Sequence, residues 1–447
     1  MRCPARLRHA PLGAALLLAA CTAPPVRPPP PAAPAPTPPT AEQPTPSAPA
    51  APVPDAHATQ SPWPRLRQRF ALNACAYRPE VQRWVTQYAK APLQFNANWT
   101  RAMPFLLLVV DEIERRDLPG ELAMLPYVES DYRPVPARGG DRPAGMWQLM
   151  PDTARNAGLA VRADFDERLD AQASTRAALD LLERHHRQFD DWRLANMAFN
   201  SGEYRVRRLL GGRDANTLSA AELAKLALSP TTHDHLDRLL ALACIVETPE
   251  RFGLKLPEPG PDDRVRAIAL EAGMDIRVAA HLAGIPVELA RRLNAGYRRN
   301  RMPPDGPHRL LLPESSLARF HATADAIPVA LWNDWHEERA VRTSGIGSWA
   351  SQLGLPVAVL AAANALDPNT SVNPSMRLLL PGREADPPPD DAAARASARS
   401  PRVHVVAAGD TLSHVARRYS IPLARLKRLN PQAGTLRPGD RLRLSAE

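Results

Sequence analysis

After Pro257 one pattern is written three times. A repeat restricts a fold more than local propensity does, because each copy must be one small supersecondary unit. The copies are Ala280–Asn294 (AHLAGIPVELARRLN), Ala350–Asn364 (ASQLGLPVAVLAAAN) and Ala416–Asn430 (ARRYSIPLARLKRLN). They close on Arg309–Pro313, Arg377–Pro381 and Arg441–Leu444. In each, a helical pattern stops near Gly or Ser, an apolar-Pro pair follows, and Asn lies eight residues beyond the Pro. Pro presets φ for the first turn of a second helix, and Asn suits its C-terminal end. The Leu-rich run that follows reads as a strand. The third copy also has an opening strand at Val403–Val406, then Gly409-Asp410-Thr411-Leu412, where Asp410 or Thr411 suits an N-cap. The unit is therefore strand, helix, helix, strand. The second copy has Ser344-Gly345-Ile346-Gly347 where the third has GDTL, and the first, from about Asp275, shows no clear opening strand.

The repeats occupy 258–334, 335–382 and 402–445, with a Pro/Asp/Ala-rich linker at 383–401. Residues 65–257 carry helical periodicity without convincing strand alternation, for example Ala178, Leu181 and Leu182 in Ala171–Phe189. That length can bury a real core. Further helices are expected at Glu80–Lys90, Trp99–Arg116, Trp192–Phe199, Ala220–Leu228 and His235–Val246.

Residues 1–20 are a basic n-region (Arg2, Arg6, Arg8) and an apolar run too short to span a bilayer, ending in Leu18-Ala19-Ala20-Cys21. This resembles a bacterial lipobox, which implies lipidation of Cys21. Thr22 after it, in place of Asp, implies a periplasmic lipoprotein of the outer membrane. Residues 21–64 are a Pro/Ala-rich tether that cannot bury a core. Of the mature cysteines, Cys75 and Cys244 remain; an oxidising compartment permits a disulfide, and two separately buried thiols satisfy the sequence equally. The formal charge is +9, with no extended basic block and no aromatic-interleaved basic strip, so nucleic acid is not expected. A basic surface also suits an anionic wall polymer or lipid. No His/Cys cluster has metal-ligand spacing, and no cofactor is implied. His185 and His186 read as a polar helix surface; His233 and His235, two apart, point to different helix faces.

The stretch Leu118–Ala157 is where chemistry concentrates. Glu129 closes a short apolar helix of Leu122, Leu125 and Val128, a Gly-rich loop follows, and a second helix is expected to open at Gly145-Met146-Trp147-Gln148. A carboxyl at such a boundary can be held partly out of water, and burial favours its neutral, proton-donating form.

Three motifs here resemble the lytic transglycosylase domain of the goose-lysozyme-like class: Glu129-Ser130 in LPYVES, Ala144–Ala154 (AGMWQLMPDTA) and Met197–Glu203 (MAFNSGE). Residues Arg402–Ser445 resemble the LysM module, a βααβ domain that binds N-acetylglucosamine-containing polymers. The order of parts is similar to the membrane-bound lytic murein transglycosylase D family. The resemblance implies a multidomain fold, with an all-α lysozyme-like catalytic domain ahead of small α+β LysM and LysM-like modules. It implies peptidoglycan strands as partner and Glu129 as the catalytic acid and then base. Substrate binding is carried over to Ser130, Gly145, Met146, Trp147, Gln148, Met150, Phe199, Asn200 and Glu203. Gln148 and Asn200 would bond the sugar, and Met146, Trp147, Met150 and Phe199 would wall a groove. In the third repeat, Gly409, Asp410, Thr411, Leu412 and Asn430 are the expected glycan contacts.

Two positions depart from the family. Phe199 stands where it has Tyr, and Arg138 where it has Ser, in a loop Pro134–Pro143 one residue longer. Arg138 would meet a substrate carboxylate, or else pair with Glu129 and favour its ionised form. Two alternatives accompany the enzyme: a non-catalytic wall-binding protein, and a hydrolytic muramidase on the same fold.

Overall fold

The computed structural model describes residues 60–382 except 140, 215 and 216, and, in the C-terminal module, 403–406, 412, 415–416, 423–433 and 439–444. The signal, Cys21, most of the tether, the linker, and Gly409, Asp410 and Thr411 lie outside these residues.

The helical domain opens with α1 (Pro62–Arg67), α2 (Pro79–Ala89) and α3 (Pro92–Arg115). Each starts with Pro in its first turn, where the missing N–H has no helical partner to lose. That is why α3 begins at Pro92, a full turn and more before the expected Trp99. Its buried stripe, Phe95, Trp99, Met103, Leu106, Val110 and Ile113, follows three- and four-residue steps. A 3-10 turn, Gly120–Met124, leads into α4 (Leu125–Ser130). Then come α5 (Pro151–Asn156), α6 (Ala171–Phe189), α7 (Trp192–Ser201), α8 (Glu203–Leu210), α9 (Ala220–Ala224) and α10 (Pro230–Glu247). Asp170 caps α6, accepting from the Ala173 N–H, and Asp191 caps α7, accepting from Arg193 and Leu194.

Helix α10 is the axis of this domain. Leu239 to Val246 are all buried, and it packs on α2, α7 and the 120–124 turn. A helix apolar on every side has to sit inside. Cys244 on α10 is joined to Cys75 by a disulfide, which resolves the alternative the sequence left open.

The first repeat contains β1 (Val265–Ala269), α11 (Ile276–Ala283), α12 (Val287–Leu293) and β2 (Arg309–Pro313), and α13 (Glu314–Ala324) follows it. Strands β1 and β2 pair antiparallel from Val265↔Pro313 to Ala269↔Arg309. The opening strand absent from the sequence reading is therefore present. VRAIA has little alternation of its own, and its strand state comes from pairing with the Leu-rich β2. The second repeat runs β3 (Trp335–Arg339), β4 (Ser344–Gly345), α14 (Ile346–Gln352), α15 (Val357–Ala363), β5 (Ser371–Val372) and β6 (Arg377–Pro381), with β3 on β6 and β4 on β5. In the third, β7 (Val403–Val405) pairs with β8 (Arg441–Arg443), and α16 (Leu423–Leu429) lies between them.

The repeated Asn has one job in all three copies. Asn294 Nδ2 donates to Ala290 O and Leu311 O while its Oδ1 accepts from Leu311 N. Asn364 does the same with Leu360 and Leu379, and Asn430 with Leu426 and Arg443. Each amide stitches the end of the second helix to the closing strand. Asn430, expected to touch glycan, has its amide engaged with the backbone of its own module.

The first repeat is fused to the helical domain. Val265, Leu293 and Leu311 are buried in the helical core. Phe165, from the loop ahead of α6, stacks on Tyr297 at 5.1 Å in the core shared by the first two repeats. Arg309 donates to Asp170 at 2.6 Å. Among the described residues no single helix is long and apolar enough to cross a membrane.

Candidate active site

Glu129 lies in the last turn of α4, its side chain 16% exposed. The helix stops there because Asp131 and Tyr132 take left-handed backbone angles, φ 52 and 59. Such angles are costly for side-chain-bearing residues and need outside support. Buried Tyr132 supplies it, its hydroxyl donating to Ala123 O at 2.6 Å.

The partner of Glu129 is His235 on α10, with Nε2 2.8 Å from Glu129 Oε1. His235 is buried, and its Nδ1 lies 3.2 Å from Asn196 Oδ1 on α7. Three residues earlier on the same face, Thr232 Oγ1 donates to Asn200 Oδ1 at 2.9 Å. Helix α10 thus holds Glu129 through His235 and Asn200 through Thr232, and so sets the end of α4 against the end of α7.

The loop 144–149 completes the site. It is closed by paired backbone bonds between Ala144 and Leu149, 3.2 and 3.1 Å. Gly145 has φ +82, and a Cβ there would lie 1.7 Å from Arg168 O, so only Gly fits. Gln148 is also left-handed (φ 49), and its Nε2 donates to Gly145 O at 2.7 Å. With two such residues the segment cannot be helical, and the helix expected from Gly145 starts at Pro151 instead. Ser130 is buried; its hydroxyl reaches Met146 O at 3.0 Å and ties α4 to this loop.

The expected site residues divide by exposure. Met150 is 47% exposed, Asn200 is exposed, and Gln148, Phe199 and Glu203 are half-buried. Met146 and Trp147 are core residues and not groove wall. Trp147 is fully buried, donates from Nε1 to Thr175 Oγ1 at 3.0 Å, and meets Phe199 edge-on at 6.4 Å. Glu203 lies 3.8 Å from Arg207 and 3.6 Å from His185. His185 is buried and not on a polar surface, and burial pushes its imidazole down despite Glu203. Arg138 is exposed and makes no ion pair among the described residues, so it does not pair with Glu129.

Sequence reasoning missed His235, Asn196 and Thr232. The signal was there: Thr232 and His235 share the helix face that continues as Leu239 and Leu242. A polar pair on a buried face needs partners, and here each partner is a site residue.

Residues 111–219 match the Transglycosylase SLT domain, 264–329 the LysM-like domain of lytic transglycosylase MltD, and 404–445 the LysM domain. A lone acid on a helix end in a helical SLT domain, ahead of LysM modules, defines a lytic transglycosylase. Over 358 residues the chain is 30% identical to membrane-bound lytic murein transglycosylase D of Escherichia coli K12, covering 77% of this chain and 76% of that protein. The chain belongs to the membrane-bound lytic murein transglycosylase D family. It is also 42% identical over 111 residues to a putative tributyltin chloride resistance protein of Alteromonas, 25% of this chain and 53% of that one. Among solved structures, an inactive variant of lytic transglycosylase Slt from Pseudomonas aeruginosa aligns with TM-score 0.28 and 25% identity over 33% of this chain and 24% of that one. The SLT match holds Glu129, Gln148, Asn200 and Glu203 but ends before His235.

Proposed function

We propose that Glu129 cleaves the β-1,4 bond between N-acetylmuramic acid and N-acetylglucosamine and leaves a 1,6-anhydro end. The observation that carries this reading is the partner of Glu129. Glycosidases of the two-carboxylate kind use a second Asp or Glu as base or nucleophile. Among the described residues, the side chain bonded to Glu129 is a histidine. A substrate hydroxyl then supplies the second group. Glu129 gives its proton to the glycosidic oxygen as the bond from muramoyl C1 breaks. The carboxylate takes the proton of the muramoyl C6 hydroxyl, whose oxygen bonds to C1. An internal hydroxyl competes well with water because the closure is unimolecular.

In this reading Gln148 and Asn200 meet the sugar's amide and hydroxyl groups, and exposed Met150 supplies apolar wall. The third repeat grips glycan through Gly409–Leu412, while the first two space it from the helical domain. Lipid on Cys21 anchors the chain to the outer membrane from the periplasmic side, in line with a relative named as membrane-bound.

Purified sacculi incubated with the protein and with Glu129→Gln test the reaction. Muropeptides one water lighter than hydrolysis products, absent with the variant, are the expected result. Ordinary reducing ends would make it a muramidase. Binding without release, unchanged by the variant, would make it a wall-binding protein. A Cys21→Ala chain appearing in the soluble fraction checks the anchor.

A further inference from the structure

We propose that Arg205 and Arg208 of α8, with Arg184 near the end of α6, bind the carboxylates of the peptide stems on the strand being cut. This rests on peptidoglycan being the substrate. Muramoyl residues carry those stems on their lactyl groups, and the stems have free carboxylates. The polymer therefore brings a row of negative charge along with its sugars.

Helix α8 starts three residues after Asn200, turned there by Gly202 with φ +87. Asn200 is exposed and bonded to Thr232, about one turn along α10 from the residue that holds Glu129. A polymer held at Asn200 therefore lies beside α8. Val206 and Leu210 bury one side of α8, and Tyr204, Arg205, Arg207 and Arg208 are exposed. The last turns of α6 stand alongside. His185 lies 3.6 Å from Glu203, and the charge of exposed Arg184 acts on His185.

Several exposed arginines of the helical domain are matched to acids: Arg83 to Asp234, Arg115 to Glu112 and Arg155 to Asp152. Helix α8 is not built that way. It holds three arginines and one acid, Glu203, which lies 3.8 Å from Arg207. Arg207 also sits over the Tyr204 ring at 5.6 Å. Arg184, Arg205 and Arg208 have no ion pair among the described residues. Helical partners stand three or four residues away. For Arg205 those positions are Ser201, Gly202, Arg208 and Leu209, and for Arg208 they are Tyr204, Arg205, Gly211 and Gly212. None is an acid, and the two arginines are each other's neighbours, where like charges repel. Arg208, in the last turn, gains from the helix dipole, whereas Arg205, in the first turn, is opposed by it. Arg205 thus carries two local costs with no local compensation, and an anion from outside offsets both. Carboxylate is the anion this polymer supplies, and the guanidinium fork matches it with two parallel N–H bonds.

The test uses the full chain and soluble peptidoglycan strands in two forms, native and with the stem carboxylates converted to methylamides. Arg205→Gln with Arg208→Gln removes both charges at exposed positions and leaves Glu129, Gln148 and Asn200 untouched. An exposed ion pair is worth a factor of up to about five, so KM for native strands is expected to rise about tenfold with kcat unchanged. On methylamide strands wild type and variant are expected to behave alike, because the partner charge has gone. Added salt should bring the wild type towards the variant on native strands. Arg205→Lys with Arg208→Lys should restore most of the loss, and adding Arg184→Gln should deepen it on native strands alone. An equal loss on both strand forms, or an unmoved KM on native strands, would overturn the proposal. So would a variant that lost binding to phosphatidylglycerol vesicles with its cleavage constants unmoved, since the face would then belong to a membrane. Capture of the two strand forms by Glu129→Gln reads binding without cleavage. A hydrolytic product would sink the proposed reaction, whereas capture that ignores the stem charge would sink this one.

Discussion

Glu121 offers a test of the packing beneath the site that does not touch catalysis. It lies in the turn leading into α4 and is fully buried. Its Oε1 accepts from the N–H groups of Ala71 and Leu72 at 2.9 and 2.6 Å, while Oε2 has no partner among the described residues. Burial pushes its carboxyl from 4.5 up to about 7, and Glu247 adds to the rise against those two N–H bonds. In the unfolded chain the same group titrates near its ordinary value. Between the two values the folded chain holds a proton that the unfolded chain has released. The stabilisation is therefore full below about pH 4.5 and is lost as pH rises through about 7. A gap of about 2.5 units corresponds to ~3 kcal/mol. Glu121→Gln keeps the shape and the acceptor oxygen but has no charge to bury. Urea unfolding of both proteins from pH 4.5 to 8 is the assay. The variant is expected to gain on the wild type by about 3 kcal/mol across that window. A stability difference that does not change with pH would refute the reasoning.

Three further outcomes are expected. Reducing the Cys75–Cys244 bridge, which closes a separation of 169 residues, should lower stability by up to about 5 kcal/mol on the loop-entropy argument, and an unmoved urea midpoint with reductant would contradict it. Gly145→Ala should cost several kcal/mol and abolish sacculus cleavage, since its Cβ would enter Arg168 O; Gly158→Ala, also left-handed but in open space, should cost only about 1 kcal/mol by thermal melting. Asn364→Ala removes three hydrogen bonds and should weaken the second repeat by roughly 2–4 kcal/mol, read as faster hydrogen exchange at the Leu379 amide; unchanged exchange would mean the stitch is dispensable.

Much of this was legible in the residues, and the limits have physical causes. The three repeats announced themselves because Pro and Asn have narrow backbone uses, and the Asn stitch explains why the spacing between them does not vary. Helix α6 was plain from its periodicity. Strand β1 was not, because it owes its state to a partner forty or more residues away. Gly145 and Gln148 were read as helix because the run is rich in helix formers, and local propensity cannot see Arg168 O filling the space where a Cβ would go. Trp147 and Met146 belong to a motif at the site, and a motif does not say which members face the groove and which hold it up. His235 escaped because pairing across 106 residues leaves no local trace beyond a polar residue on a buried face.

The Asn stitch has a consequence for how such a chain can diversify. All of its bonds go to main-chain atoms, and main-chain atoms are present whatever the neighbouring side chains become. A copy can therefore change the letters ahead of its first helix, as Ser344–Gly347 stands where the third copy has GDTL, without losing the joint between second helix and closing strand. Duplication followed by drift then leaves folded modules rather than unfolded relics, because the joint that closes each one asks nothing of the side chains around it.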